Sequence, residues 1–503
     1  MYFLGIDIGT SFWKAVLYNE KGRAVAEDVR AALIHNGSKY DFYEPEELWQ
    51  SVVDLIRSIT AKVKNPQDIK GIGVAAMAEA GVVLDKNGNS LYPIIAWYDD
   101  CTMEQTGWWE KKAGKKAVYD ITGLYIKHIY SANKLIWLKR NEPVIYNKMA
   151  KWLCIPDFIV YKLTGAYSMD YSIASRTMLL DIKKRQWSTR MLDFAEIEEN
   201  VMPRLYPSGT GVGKVKKEVA ELTGLKTDTV VVTGGHDHVC GALAAGVVKE
   251  GILLDSIGTA ESLFTTINKP VLNEAVFKTG FSSGCHVYPG QYYVMGGIYT
   301  SGAVVDWVIR LFNDKAGLLK KDKLELYEKI INESYGLTAE NENLFLFPYF
   351  RGSGPPDVNY SRKGIITGLM TNHTTKDILT AAINGLSCES RKTAEAMEKY
   401  TGKKMREFIV TGALTRLKAW MQVKANVLSR EIELADTAEA GTLGAAMLAG
   451  LGTGLFKSAD EVIKAMKPGN INVKPDFADA EKLNNYYKTY KKLSAQKDIK
   501  GRS

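Results

Sequence analysis

"YFLGIDIGTSFWKAVLYNEKGRAVAEDV", residues 2–29, and "GILLDSIGTAESLFTTI", residues 251–267, decide the fold, because one device occurs in both. Each is an apolar run, an Ile-Gly-Thr turn and a second run of strand-forming residues. The turn is Ile8-Gly9-Thr10 in the first stretch and Ile257-Gly258-Thr259 in the second. In the first stretch a further turn from Asn19 to Gly22 leads to a third strand, which makes an antiparallel meander. Residues 41–63 then put Leu48, Val52, Leu55, Ile56 and Ile59 at helical spacing, and "IKGIGVAAM" (69–77) reads as a buried strand running into a loop. An opening repeated half a chain apart predicts a duplicated α/β fold of two similar domains. The boundary falls near Val247 to Gly251, dividing the chain into 1–247 and 248–503, and the ligand site belongs in the interdomain cleft.

The composition is that of a large globular chain: 503 residues, 46% of them apolar, are enough to bury a sizeable core. Lys and Arg exceed Asp and Glu by 65 to 57, a mild surplus that attracts small anions. No basic block carries interleaved aromatics, so nucleic acid is not an expected partner. Cys101, Cys154, Cys240, Cys285 and Cys388 are odd in number and lack CxxC spacing, which reads as reduced thiols and a cytoplasmic setting. Neither a signal peptide nor an apolar run of about eighteen residues is visible, so no membrane role is expected. From Pro475 the tail is Lys-rich and reads as a surface helix with a frayed end.

A Gly-Thr turn between strands exposes consecutive backbone N–H groups and a hydroxyl, which suits phosphate oxygens. Gly9-Thr10 and Gly258-Thr259, one pair per half, could together hold a polyphosphate, whereas either alone reads as an ordinary hairpin turn. Asp7, just before the first loop, is placed to reach Mg²⁺ through water. "GTGVGKVKKE" (209–218) imitates a P-loop but has Ser208 and Val215 at required positions, so Lys214 is read as solvated loop.

"TGGHDHVCGALAAG" (233–246) follows a Val-rich strand and opens a helix, with Asp237 at the junction. Three readings are open there. Asp237 is a helix cap, a partner of His236, His238 and Cys240 in a metal site, or a carboxylate that takes a proton from a hydroxyl, its ionised form favoured by the helix dipole.

Taken in order, these stretches resemble the FGGY carbohydrate kinases, the group that includes glycerol kinase and xylulokinase. The resemblance runs from Tyr2 to about Phe456, through "YSANKLIWLKRN" (130–141), "GIITGLMTNHTTKDILTAAING" (364–385), "DIGTSFWK", "AWYDD", "YKLTGAYSMDYSIAS", "GGHDHVCGA", "SIGTAES" and "AEAGTLGAAMLAG". It implies two ribonuclease-H-like domains of the actin and hexokinase type with an interdomain cleft, ATP and Mg²⁺ as cofactors, and transfer of the γ-phosphoryl group to a sugar or polyol hydroxyl. It assigns Asp237 as general base and Asp7 to the metal. Gly9, Thr10, Ser11, Lys14, Gly258, Thr259, Gly412, Ala413 and Leu417 fall to ATP, and Met77, Glu79, Trp97, Asp99, His236 and His238 to the acceptor. The bland alternatives are a core role for Trp97 and simple helix packing, rather than closeness to the nucleotide, for Gly441, Gly444, Ala445 and Ala446.

The chain departs from the family pattern at Ala78 and Cys101, where arginines are usual in relatives. It departs again at Ala413, at the uncharged "GSGPP" (352–356), and at the histidines flanking Asp237, where relatives carry Gly and Asn or Thr. The expected acceptor is a ketopentose such as xylulose or a related monosaccharide. Alternatives are a polyol kinase acting on glycerol or erythritol, and a non-kinase ATPase of the actin and Hsp70 kind. A homodimer is the default assembly.

Overall fold

The computed structural model describes residues 1–312, 325, 327–332, 341–435 and 439–496. The first half opens with β1 (Tyr2–Ile8), β2 (Phe12–Asn19) and β3 (Ala24–Ala31), then helix α1 (Pro45–Lys62) and β4 (Ile69–Ala76). α1 starts on Pro45, carries Glu46 and Glu47 in its first turn and ends at Lys62, a charge order that suits the helix dipole. Its apolar stripe, Leu48 to Ile59, is buried as the spacing predicts. Helix α2 (Ser131–Asn141), β5 (Gly211–Lys214), β6 (Val230–Val232), β7 (Gly235–His236) and α3 (Asp237–Ala244) complete the framework of this half. The sheet order is β5-β6-β4-β1-β2-β3, with β7 also paired to β4.

The second half repeats the plan with β8 (Ile252–Ile257), β9 (Glu261–Ile267), β10 (Ser282–Cys285), β11 (Tyr292–Ile298), β12 (Glu407–Thr411), β13 (Ile432–Ala435) and β14 (Asn470–Val473). These strands order as β10-β11-β9-β8-β12-β13-β14. In each half the leading strand is antiparallel to its successor and parallel to a later one, β1 to β4 and β8 to β12. The parallel neighbours require crossovers that run through helices, which gives two α/β domains of the expected ribonuclease-H-like kind. The main helices of this half include α4 (Gly302–Phe312), α5 (Thr375–Thr401), α6 (Lys418–Leu428), α7 (Ala440–Gly452) and α8 (Phe477–Ser494).

The small residues of α7 lie against the first sheet, although the helix comes from the second half. A Cβ on Gly5 would stand 1.9 Å from the Thr442 carbonyl oxygen, and one on Gly73 would stand 2.1 Å from that of Ala445. On the helix's other side a Cβ at Gly444 would meet the Cys240 carbonyl of α3 at 2.0 Å. Close packing therefore accounts for this helix: it is clamped between β1–β4 and the helix that begins at Asp237.

Two sequence expectations need correction. Lys214 is exposed, but it ends strand β5, paired with β6, rather than sitting in a loop. The Lys-rich tail forms α8, whose Tyr486, Tyr487 and Tyr490 are buried in the second core, so only the lysine face is surface; residues 497–503 lie outside the described residues. No helix of the described residues is long and apolar enough to cross a membrane.

The clamp generates a test. Gly73→Ala should lower stability by about 2 kcal/mol or more, as overpacking against backbone does. Gly107→Ala is the control: Gly107 sits mid-helix with nothing within 4 Å of its Cβ position, so it should be neutral or stabilising by up to about 1 kcal/mol. Urea melts of both variants check this.

Candidate active site

The ends of parallel strands gather the first group. Asp7 of β1 and Gly235 of β7 both pair with Ala75 of β4, and the Met77 N–H donates to the Ile8 carbonyl at 3.0 Å. Gly234 makes this approach possible, since a Cβ there would stand 1.6 Å from the Val74 carbonyl oxygen. His236 takes the N-cap position and Asp237 is the first helical residue, so the cap reading of Asp237 does not hold. Asp237 Oδ1 accepts the His238 N–H at 2.6 Å and lies 3.1 Å from His236 Nε2. Asp237 is partly exposed, and its Oδ2 makes no hydrogen bond among the described residues. Upstream, the Asp170 carboxylate accepts the N–H groups of Ser172 and Ile173, and Ser172 Oγ accepts the His236 N–H at 2.9 Å. A cap thus fixes the hydroxyl that fixes the backbone before Asp237, a function for "YSMDYSIAS" that sequence reasoning missed.

The two histidines differ. His236 is buried, and burial, then the Arg176 charge, then His238 push its pKa well below the usual value, so the ring is neutral. His238 is exposed on α3. Cys240 is buried against Gly444, and no cluster of three or more His, Cys, Asp or Glu able to hold a metal occurs among the described residues, which removes the His-His-Cys reading.

Asp7 carries a large electrostatic cost. Burial pushes its pKa up to about 8, with the Asp237 charge next, Lys14 pulling down and Glu439 pushing up. Its Oδ1 is buried without a hydrogen-bond partner, and Gly441 leaves space beside Oδ2, where a Cβ would approach to 2.4 Å. An orphaned carboxylate oxygen beside further acidic groups fits a divalent cation, which prefers such oxygens. Lys14 stands opposite Asp7 in the β1–β2 register and is held by both oxygens of Glu439, at 2.8 and 2.7 Å, so phosphate would have to draw it from that pair. In the first Gly-Thr turn the Gly9 N–H donates to the Phe12 carbonyl and Ser11 is exposed. The Thr10 hydroxyl accepts Trp97 Nε1–H at 2.9 Å. Trp97 is thereby a brace for this loop.

The second turn rests on the start of α4: Gly302 N–H donates to the Gly258 carbonyl, and Ser301 and Ala303 N–H groups donate to that of Thr259. Gly412, at φ 106°, lies so close that a Cβ would stand 2.2 Å from the Ile257 carbonyl oxygen. Gly258, Gly302 and Gly412 form a corner of bare backbone, with Thr259 exposed and Ala413 opening a short turn. Leu417 is buried and belongs to the second core, because its side chain packs inward at the start of α6; it does not line the corner.

Behind this corner lies an ionic cluster that the sequence analysis did not identify. Glu261 accepts from Ser301 Oγ at 2.8 Å, from Lys424 Nζ at 2.8 Å and from Ser390, while Lys424 also donates to Asp255. All three charges are buried. Burial and the Glu261 charge push Asp255 up to about 7; burial pulls Lys424 down, but its two carboxylate partners outweigh that and raise it. The available signal was two acids inside apolar strands and a lysine inside an apolar helix, which in a folded chain must be paired.

Among the residues that the resemblance assigns to the acceptor, Glu79 is buried at φ 70°, a left-handed conformation rare for non-glycine residues and frequent at functional sites. Its Oε1 accepts Arg176 Nε–H at 2.7 Å and lies 2.6 Å from Nη2. The guanidinium stacks 5.1 Å over the Tyr130 ring. Lys134, buried in α2, donates to the Ile129 carbonyl at 2.7 Å, and burial pulls its pKa down to about 8 despite Glu79 nearby. Asp99 does not bring free oxygens to an acceptor: Oδ1 accepts Cys101 N–H and Oδ2 accepts Asp41 N–H, both at 2.8 Å, so it serves as a cap. Met77 is buried beside this region. A cavity of ≈ 170 Å³ lies between the halves, walled by Lys127, Tyr130 and Arg176 on one side and by Ser262, Ser282 and Tyr299 on the other.

Family comparison matches residues 2–244 to the N-terminal domain and 253–453 to the C-terminal domain of the FGGY family of carbohydrate kinases. The chain is similar to xylulose kinase of Lactococcus lactis, 29% identical over 466 residues, 92% of this chain and 90% of that one. It is also similar to xylulose kinase of Bacillus subtilis, 28% identical over 495 residues, 98% and 96%. Among solved structures, xylulose kinase from Rhodospirillum rubrum superposes with a TM-score of 0.88 at 25% identity, covering 98% of both chains. With both domains matched in order around the site just described, the chain belongs to the FGGY family of carbohydrate kinases.

Proposed function

We propose that this carbohydrate kinase transfers the γ-phosphoryl group of ATP to a hydroxyl of a ketopentose such as xylulose or a related monosaccharide, with residues 1–247 on the sugar side and 248–503 on the nucleotide side. The observation that carries the reading is Asp237: one carboxylate oxygen is fixed by the His238 N–H and the other is left without a partner. A hydroxyl attacking phosphorus must shed its proton, and a carboxylate within hydrogen-bond reach is the simple acceptor. Neutral His236 adds no cation beside that carboxylate. With the Gly9, Gly258 and Gly302 N–H groups held by carbonyls of their own turns, the N–H groups of Thr10 and Ser11 in the first turn and of Thr259 and Gly412 in the second are the donors for phosphate oxygens, and Asp7 would hold Mg²⁺, which when bound offsets the charge of the transferring phosphoryl group. Xylulose as the acceptor is supported by the relatives' names, and a cytoplasmic setting by five unbridged thiols. We place it as a homodimer, the commonest closed assembly.

Two outcomes test this. Asp237→Asn should cut kcat by about 10³-fold or more while the affinity for ATP, read by equilibrium titration, stays within about threefold of wild type; kcat within tenfold of wild type would refute the assignment.

The second concerns Asp7, whose folded pKa of about 8 exceeds the usual carboxylate value of 3.8. Between those values the native state retains a proton that the unfolded chain has lost, so stability without metal falls as pH rises and levels off above about 8. Asp7→Asn should remove that slope, melting close to wild type at acidic pH and a few degrees above it, about 1–3 °C, at pH 8.5. Saturating Mg²⁺ should raise the melting temperature of wild type at pH 8.5 and leave Asp7→Asn unchanged. Parallel melting curves at pH 6 and 8.5, with and without the metal, decide it.

A further inference from the structure

Glu79 is not on the wall of the interdomain cavity; Arg176 is, with Tyr130 and Lys127 beside it. We infer that Arg176 is the specificity-determining contact for the acceptor, donating to a carbonyl oxygen of an open-chain ketose, and that Glu79 is the residue that positions it. This rests on the sugar-kinase reading and narrows the substrate to carbonyl-bearing sugars over the corresponding alditols.

The geometry is that of an oriented donor. Nε and Nη2 both converge on a single oxygen, Glu79 Oε1, at 2.7 and 2.6 Å. The guanidinium carbon lies 5.1 Å over the Tyr130 ring, which packs against it. Arg176 and Glu79 are each more than nine-tenths buried. A buried ion pair contributes little net stability compared with apolar residues of the same volume, so stability alone gives no reason for this one. What the pair supplies is a rigid planar fork with donors to spare, since guanidinium has five N–H groups and no acceptor. The contacts with Glu79 use Nε and Nη2 only. A carbonyl oxygen and an alditol hydroxyl both accept from such a donor-only group, but the carbonyl oxygen brings no hydrogen, whereas the hydroxyl in its place is tetrahedral and its proton needs an acceptor that a guanidinium does not offer.

Position fits as well. The Arg176 charge lowers the His236 pKa, and His236 Nε2 lies 3.1 Å from Asp237 Oδ1, so His236 links the arginine on the cavity wall to Asp237. One end of a short carbon chain can then lie at Arg176 while a hydroxyl further along reaches Asp237. Left unpaired, Glu79 would be a buried charge, and its backbone at φ 70° is held by Ser131 Oγ, which donates to the Glu79 carbonyl at 2.8 Å. Glu79 is therefore fixed from two directions before it fixes Arg176.

The test uses full-length protein and three variants: Arg176→Lys, Arg176→Met, and the double variant Arg176→Met with Glu79→Gln, which removes the orphaned buried charge so that folding is preserved. Steady-state kinetics compare a ketopentose with the pentitol of the same carbon skeleton. Wild type should prefer the ketose. In the double variant kcat/KM for the ketose should fall about 10- to 100-fold, as loss of one charged hydrogen bond predicts, mainly through KM. The pentitol value should change less than threefold, and Arg176→Lys should restore part of the preference. If both acceptors lose equally in a double variant that melts like wild type, or the preference is unchanged, the inference is overturned while the kinase reading stands. If wild type phosphorylates neither ketoses nor pentitols, both fall together.

Discussion

Two carboxyl groups, Asp7 and Asp237, are held near each other at the ends of parallel strands, and the chain supplies too little positive charge to relieve them. Lys14 is the nearest cation to Asp7 and is already shared with Glu439. Like charges in a partly desolvated site cost stability, and they persist where a ligand removes the cost. Strand order fixes this arrangement, because β1 and β7 flank β4 and bring both carboxylates to the same end of these parallel strands. The remaining features act as supports: the Asp170–Ser172–His236 chain for one acid, and the Trp97–Thr10 contact for the loop beside the other.

The same geometry explains why the halves meet through glycine. α7 must lie flush on β1 and β4 for Gly441 to clear Asp7, and it must also accept α3, whose first residue is Asp237. Backbone carbonyls 1.9 to 2.1 Å from imaginary Cβ atoms leave no room for any other residue at Gly5, Gly73 or Gly444. One helix from the second half therefore packs against both acidic elements of the first, so a relative movement of the halves would be felt at Asp7 and Asp237.

Much of this was legible in the chain. The repeated Ile-Gly-Thr turn pointed to the duplicated fold because it recurs half a chain apart, whereas one such turn alone reads as an ordinary hairpin, and the small residues of "AEAGTLGAAMLAG" announced close packing. What they pack against was not legible, since sequence patterns record a face and never its partner. Asp237, Asp7 and the two Gly-Thr turns could be nominated from the sequence because the chemistry proposed for them is local to a motif. Arg176, Glu261 and Lys424 were missed because their meaning lies in pairs 97 to 169 residues apart. Asp99 and Leu417 show the converse error: resemblance nominated them, and hydrogen bonding to Asp41 and Cys101 in one case, and burial in the other, gave them structural work instead.

The most direct measurement of the central claim is a crystal structure with a ketopentose and an unreactive ATP analogue bound together. The account predicts the acceptor hydroxyl nearest the γ-phosphorus at about 3 Å from Asp237 Oδ2. A hydroxyl whose nearest basic group is any residue other than Asp237, with the carboxylate turned away from the sugar, would contradict it.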